Sequence, residues 1–92
     1  MFEMQKELAL YIEYLEFALN NTNQAEDRKL YTMYLASIGC VLAKVVLSAP
    51  REEIVEAIKS YDRLCGNTWL TAPVEGENSD SYNKFKVLIG YS

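Results

Sequence analysis

From the start of the chain as far as Gly66, apolar positions recur at helical spacing, and beyond it they cluster or alternate. Over about residues 2 to 20, Met4, Leu8, Tyr11, Leu15 and Ala18 follow alternating steps of four and three, with Ile12 and Leu19 widening the stripe. This predicts a first helix with one side against a core. Leu10, Tyr14 and Phe17 fall on another side, bounded by Glu3 and Glu7 on one edge and by Gln5, Glu13 and Glu16 on the other. Two things can cover this second stripe: the chain's own C-terminal segment, or another molecule. In the second case a small protein hides an apolar patch in a homodimer, with Leu10, Tyr14 and Phe17 as interface and Tyr14 and Phe17 as anchors.

"NNTNQAED" supplies a break and a restart, with Asn23 and Glu26 in capping-box relation and Asp27 in the first turn, where the helix dipole favours negative charge. The second helix is expected to run to about Leu47. Along it Thr32, Ala36, Gly39 and Ala43 form a strip of small residues, expected to admit the backbone of helix one. Pro50 early, Glu52 and Glu53 in the first turn and Gly66 late mark a third helix over about 50 to 65, with Ile54, Ala57, Ile58, Tyr61 and Cys65 inward. After Gly66, "TWLTAPV" and "YNKFKVLIGYS" flank the polar "EGENSDS", which predicts a terminal β-hairpin. A fourth helix competes, because Tyr82, Phe85, Leu88 and Ile89 also fit a 3.6-residue period. Trp69 is expected to be at least partly buried. The fold class is therefore mainly α, or α+β: a three-helix core, with helix two central, plus a short hairpin or fourth helix.

Length changes the picture by setting its scale, since 92 residues form one domain, 1–92, that buries only about two-thirds of the surface its unfolded chain exposes. Half the residues are apolar and 24% are charged, too hydrophobic for a disordered chain. Cys40 and Cys65 fall inside helix-like patterns, which favours free thiols in a reducing cytoplasm over a disulfide framework. Glu3 and Glu7 around Lys6 do not resemble a secretory leader. "LYTMYLASIGCVLAKVVL" approaches the length of a bilayer span, yet Thr32, Ser37 and Lys44 interrupt it, and a buried central helix has the same apolar character. No membrane association is expected.

The chain has no histidine, so the commonest general base and metal ligand is missing. No phosphate-binding glycine loop or nucleophile elbow appears, and Glu75, Glu77 and Asp80 lack the ligand ladder of a calcium loop. No catalysis, metal or cofactor is expected. Charge order is more informative than the net −4: residues 1–27 hold six acids against Lys6, 28–51 hold four bases and no acid, and 52–62 hold four acids against Lys59. Glu3/Glu7, Glu13/Glu16 and Glu53/Glu56 recur at one-turn spacing, about 4.5 to 6 Å along a helix axis. Duplex DNA carries a phosphate every roughly 3.4 Å along each strand, so such carboxylates approximate that row more sparsely. The bases show no aromatic-and-basic groove, and the net charge opposes direct nucleic-acid binding.

In length, acidity, lack of histidine, helical patterning and its extra apolar stripe, the chain resembles the small phage-encoded DNA-mimic anti-restriction proteins, the Arn-like group of T-even phages. It departs from that family in keeping nine Lys and Arg residues. The resemblance implies a dimer in the host cytoplasm whose acidic surface occupies the basic cleft of a host DNA-binding or restriction protein. On this chain that surface is expected to be Glu3, Glu7, Glu13, Glu16, Glu52, Glu53 and Glu56. The competing expectation is a small cytoplasmic adaptor or immunity-type protein that binds its partner through an apolar helix face.

Overall fold

A computed structural model describes residues 2–71 and 73–91 of the chain. Four helices follow one another: α1 (Phe2–Asn21), α2 (Ala25–Val46), α3 (Arg51–Gly66) and α4 (Ser81–Ile89). No strand occurs among the described residues, so the expected hairpin gives way to the competing fourth helix. The reason lies in the period: Tyr82, Phe85 and Ile89 share one side of α4 and are buried there. A helix satisfies its own backbone groups while burying those side chains, whereas a lone hairpin on this surface would leave edge groups to solvent.

Helix α2 packs against both α1 and α3, and α1 packs against α4 as well. Side chains close the remaining side of the ring. From α3, Asp62 accepts from the Tyr82 hydroxyl (2.6 Å) and pairs with Lys86 (3.2 Å), while Arg51 donates to the carbonyls of Ile89 and Gly90 (both 3.0 Å). The interior combines Leu8, Leu15 and Ala18 with Tyr31, Tyr34, Ile38, Val41 and Val45, Ile54, Ile58 and Tyr61, and Tyr82, Phe85 and Ile89.

The inward stripe of α2, residues 31, 34, 38, 41 and 45, alternates steps of three and four and carries its large side chains. It therefore wins the core over the small-residue strip, because burial scales with apolar area. Thr32, Ala36 and Ala43 are exposed, and nothing lies within 4 Å of where a Cβ on Gly39 would sit, so the strip does not admit α1. Among the described residues α2 alone is long and apolar enough to cross a membrane, and 28% of its most apolar window is buried here.

The ends of the helices also depart from expectation. Gln24, not Asn23, precedes α2, and no side chain caps it. The α1–α2 junction is held instead by Arg28, which donates to the carbonyl of Leu19 (2.8 Å), while Asn21 closes the last turn of α1 by donating to the carbonyl of Phe17 (2.7 Å). Gly66 is the last residue of α3 rather than the first beyond it, and Asn67 follows with an ordinary negative φ of −101°.

Candidate functional site

The second stripe of α1 is covered largely by the chain itself. The Tyr14 hydroxyl donates to the carbonyl of Val74 (2.7 Å), and Val74 N–H donates to the hydroxyl of Tyr31 (3.2 Å). One step earlier, Thr71 N–H donates to the carboxylate of Asp27 (2.7 Å), a residue with no exposed surface. Gly76 then passes so close to Phe17 that a Cβ on it would lie 3.0 Å from two atoms of the ring. Residues 73 to 76 thus form a strap over α1, with Thr71 tied to α2 ahead of it. Tyr14 is half-buried and burial pushes its hydroxyl pKa up, while Phe17 remains 47% exposed. What is left for a second copy is half-buried Leu10 and the open part of Phe17.

The seven glutamates expected to form one acidic face are distributed over separate recesses. Glu3 and Glu7 line a recess of about 350 Å³ with Lys84, Val87 and Leu88 of α4. Glu13 shares another with Tyr14, Phe17, Glu77 and Asn78, and Glu16 is exposed on the same helix. Glu52, Glu53 and Glu56 line a groove of about 520 Å³ between α2 and α3, together with Lys44, Cys40 and Ser37. The α1 glutamates and the α3 glutamates line different recesses. Of these seven, Glu56 forms an exposed ion pair with Lys59 (3.7 Å), and Oε2 of Glu7 is closed off from solvent without a hydrogen-bond partner.

Sequence reasoning missed a recess of about 350 Å³ lined by Tyr11, Tyr14, Tyr31, Tyr34 and Tyr61, with Cys65, Thr68 and Trp69 among its other walls. The available signal was the tyrosine count of seven, with pairs three residues apart at 11/14 and 31/34. The Tyr11 and Tyr61 hydroxyls bond each other at 2.6 Å, and Tyr34 bonds the Thr68 hydroxyl. Burial pushes Tyr11 up to about 12 and raises Tyr61 and Tyr34 as well. These groups stay protonated at neutral pH and serve as hydrogen-bond partners rather than bases. The thiol of Cys65 is likewise pushed up by burial, which suppresses the reactive thiolate.

Trp69 stands at the rim, 87% exposed, which corrects the expectation that it is packed against the helices. The strap explains this: anchoring at Thr71 and Val74 fixes the backbone and turns the indole outward, toward Met33 and Lys29 of α2, with which it lines a further recess. Both cysteines are free, Cys40 exposed and Cys65 half-buried. No group of three or more potential metal-ligating side chains occurs among the described residues. Comparison of the chain with protein-family models, with curated proteins and with solved structures found no match.

Proposed function

We propose that this chain is a non-enzymatic binding protein of the adaptor or immunity type, which docks on a basic surface of a partner protein through carboxylates and the apolar side chains beside them. One observation carries the reading: exposed apolar side chains stand directly beside glutamates in the α1–α4 recess, where Val87 is 77% and Leu88 48% exposed next to Glu3 and Glu7. Interfaces of this composition use apolar contact for affinity and charge for steering and register.

A second reading, an inhibitor that takes the place of DNA on a host DNA-binding or restriction protein, is favoured by the one-turn spacing of Glu13/Glu16 and Glu53/Glu56 on α1 and α3. On this reading the partner meets one acidic row on each helix.

Capture of partners from extract at low and high ionic strength, with duplex DNA as competitor, separates the readings. A mixed apolar and acidic interface keeps most of its affinity in high salt and ignores DNA, whereas a mimic loses it steeply and is displaced. Under the second reading, changing Glu13, Glu16, Glu53 and Glu56 to Gln weakens binding about tenfold or more, on the order of 1.4 kcal/mol. Under the first it has little effect. If no protein is retained at either ionic strength, both readings fail.

A further inference from the structure

We infer that α1 and α4 together form a docking groove for a basic amphipathic helix of the partner, with Glu7 receiving a lysine or arginine of that helix. This inference rests on the reading that the chain binds a basic protein surface. Three independent features meet in the groove.

The first is an unsatisfied group: Oε2 of Glu7 is enclosed and has no hydrogen-bond partner, although Lys84 lines the same recess. Oε2 itself is out of reach of a docking helix, but Glu7 as a whole is only half-buried, so the rest of its carboxylate meets an incoming N–H donor, and a charge already part-withdrawn from water gains more from that donor than a solvated glutamate does. The second is the apolar wall. Val87 and Leu88 lie on the outside of α4, and α4 already buries Tyr82, Phe85 and Ile89 on the other side, so this short helix is apolar on two faces. The third is periodicity. Glu3 and Glu7 on α1, and Lys84 and Leu88 on α4, are each one turn apart and line one recess. Both walls repeat at about 6 Å, the step of an i, i+4 ridge on a helix seated between them.

Charge selects the occupant. Two glutamates against Lys84 favour a cationic segment, and the net charge of −4 disfavours a second copy of this chain.

The test uses the full chain and a synthetic amphipathic helix built only of leucine and lysine, with a leucine and glutamate helix as control. The cationic helix is expected to bind and the anionic one not. Glu7→Gln and Val87→Ser should each weaken binding about fivefold or more, while Glu56→Gln, in the α2–α3 groove, should leave it unchanged. Lys84→Ala should tighten it by removing the competing cation. Val87 and Leu88 are exposed, so the folded state of each variant is checked by helix content. If Glu7→Gln and Val87→Ser bind the peptide as well as the parent chain, the α1–α4 groove is not the site; retention of a basic partner from extract would then leave the broader reading standing. If the chain self-associates and Val87→Ser abolishes it, a second copy occupies the groove and the inference is overturned.

Discussion

Gly76 and Asp27 show how single residues hold the strap over α1. At Gly76 the absent Cβ matters because two atoms of the Phe17 ring would lie 3.0 Å away. Phe17 is 47% exposed and its ring can turn, so Gly76→Ala should cost about 1 kcal/mol, the low end of overpacking. In a Phe17→Ala background the same change should cost nothing, and denaturant unfolding of the four combinations measures the coupling. Asp27 is the stronger anchor, because its buried carboxylate accepts from Thr71 N–H at 2.7 Å from the first turn of α2. Asp27→Ala removes that acceptor and a favourable charge near the helix N-terminus, and should destabilise the chain by about 1 to 3 kcal/mol. The amide of Thr71 should then exchange with solvent far faster. Unchanged exchange would show that the strap is held by other groups.

At the scale of elements, α2 and α4 end in the same way, although only α4 has a glycine there. After α4, Gly90 takes a φ of 76° while Tyr91 N–H reaches back to the carbonyl of Lys86 (2.9 Å). After α2, Ser48 takes a φ of 55° while Ala49 N–H reaches the carbonyl of Lys44 (2.9 Å). Glycine meets this left-handed position without penalty and serine does not. Ser48→Gly should therefore stabilise the chain, and Gly90→Ala destabilise it, each by about 1 kcal/mol. Opposite shifts in the unfolding midpoint check both. The three long helices were legible because each carries a stripe at helical period. The hairpin expectation failed because the short apolar run at 82–89 fits two periods, and what decided between them was burial against α1 and α3, which is distant in sequence. The small-residue strip misled for a related reason, since spacing identifies a stripe but not which stripe buries more. At the candidate site, one-turn spacing located the glutamates along their helices, yet it could not show which recess each would line. The enclosed Oε2 of Glu7 was invisible, because it depends on α4 lying alongside.

Across the whole molecule, the four helices meet around tyrosines, and this gives the protein a specific response to alkali. The rings stack or meet edge-on in a continuous set, with Tyr11 against Tyr14, Tyr61 and Tyr82, and Tyr34 against Tyr31 and Tyr61. Burial raises the pKa of Tyr11 to about 12 and pushes those of Tyr61 and Tyr82 up as well, Tyr82 further disfavoured as an anion by Asp62. In the unfolded chain a tyrosine ionises near its ordinary value of about 10. Below that pH both states hold the proton and the stability contribution is complete. Above it the unfolded chain releases protons that the folded chain retains, so stability falls as pH rises toward the folded values. For each such hydroxyl the slope is about 1.4 kcal/mol per pH unit, so Tyr11, Tyr61 and Tyr82 together act with a slope of about 4. A domain with about 5 to 15 kcal/mol of stability is then expected to unfold cooperatively one or more units above pH 10. Tyrosinate absorbance and helix content should change together in one steep step, and Tyr11→Phe should make that step shallower by removing one linked proton. If most tyrosines instead ionise gradually near their ordinary pKa with the helices intact, the aromatic interior is open to hydroxide and the packing described here is wrong.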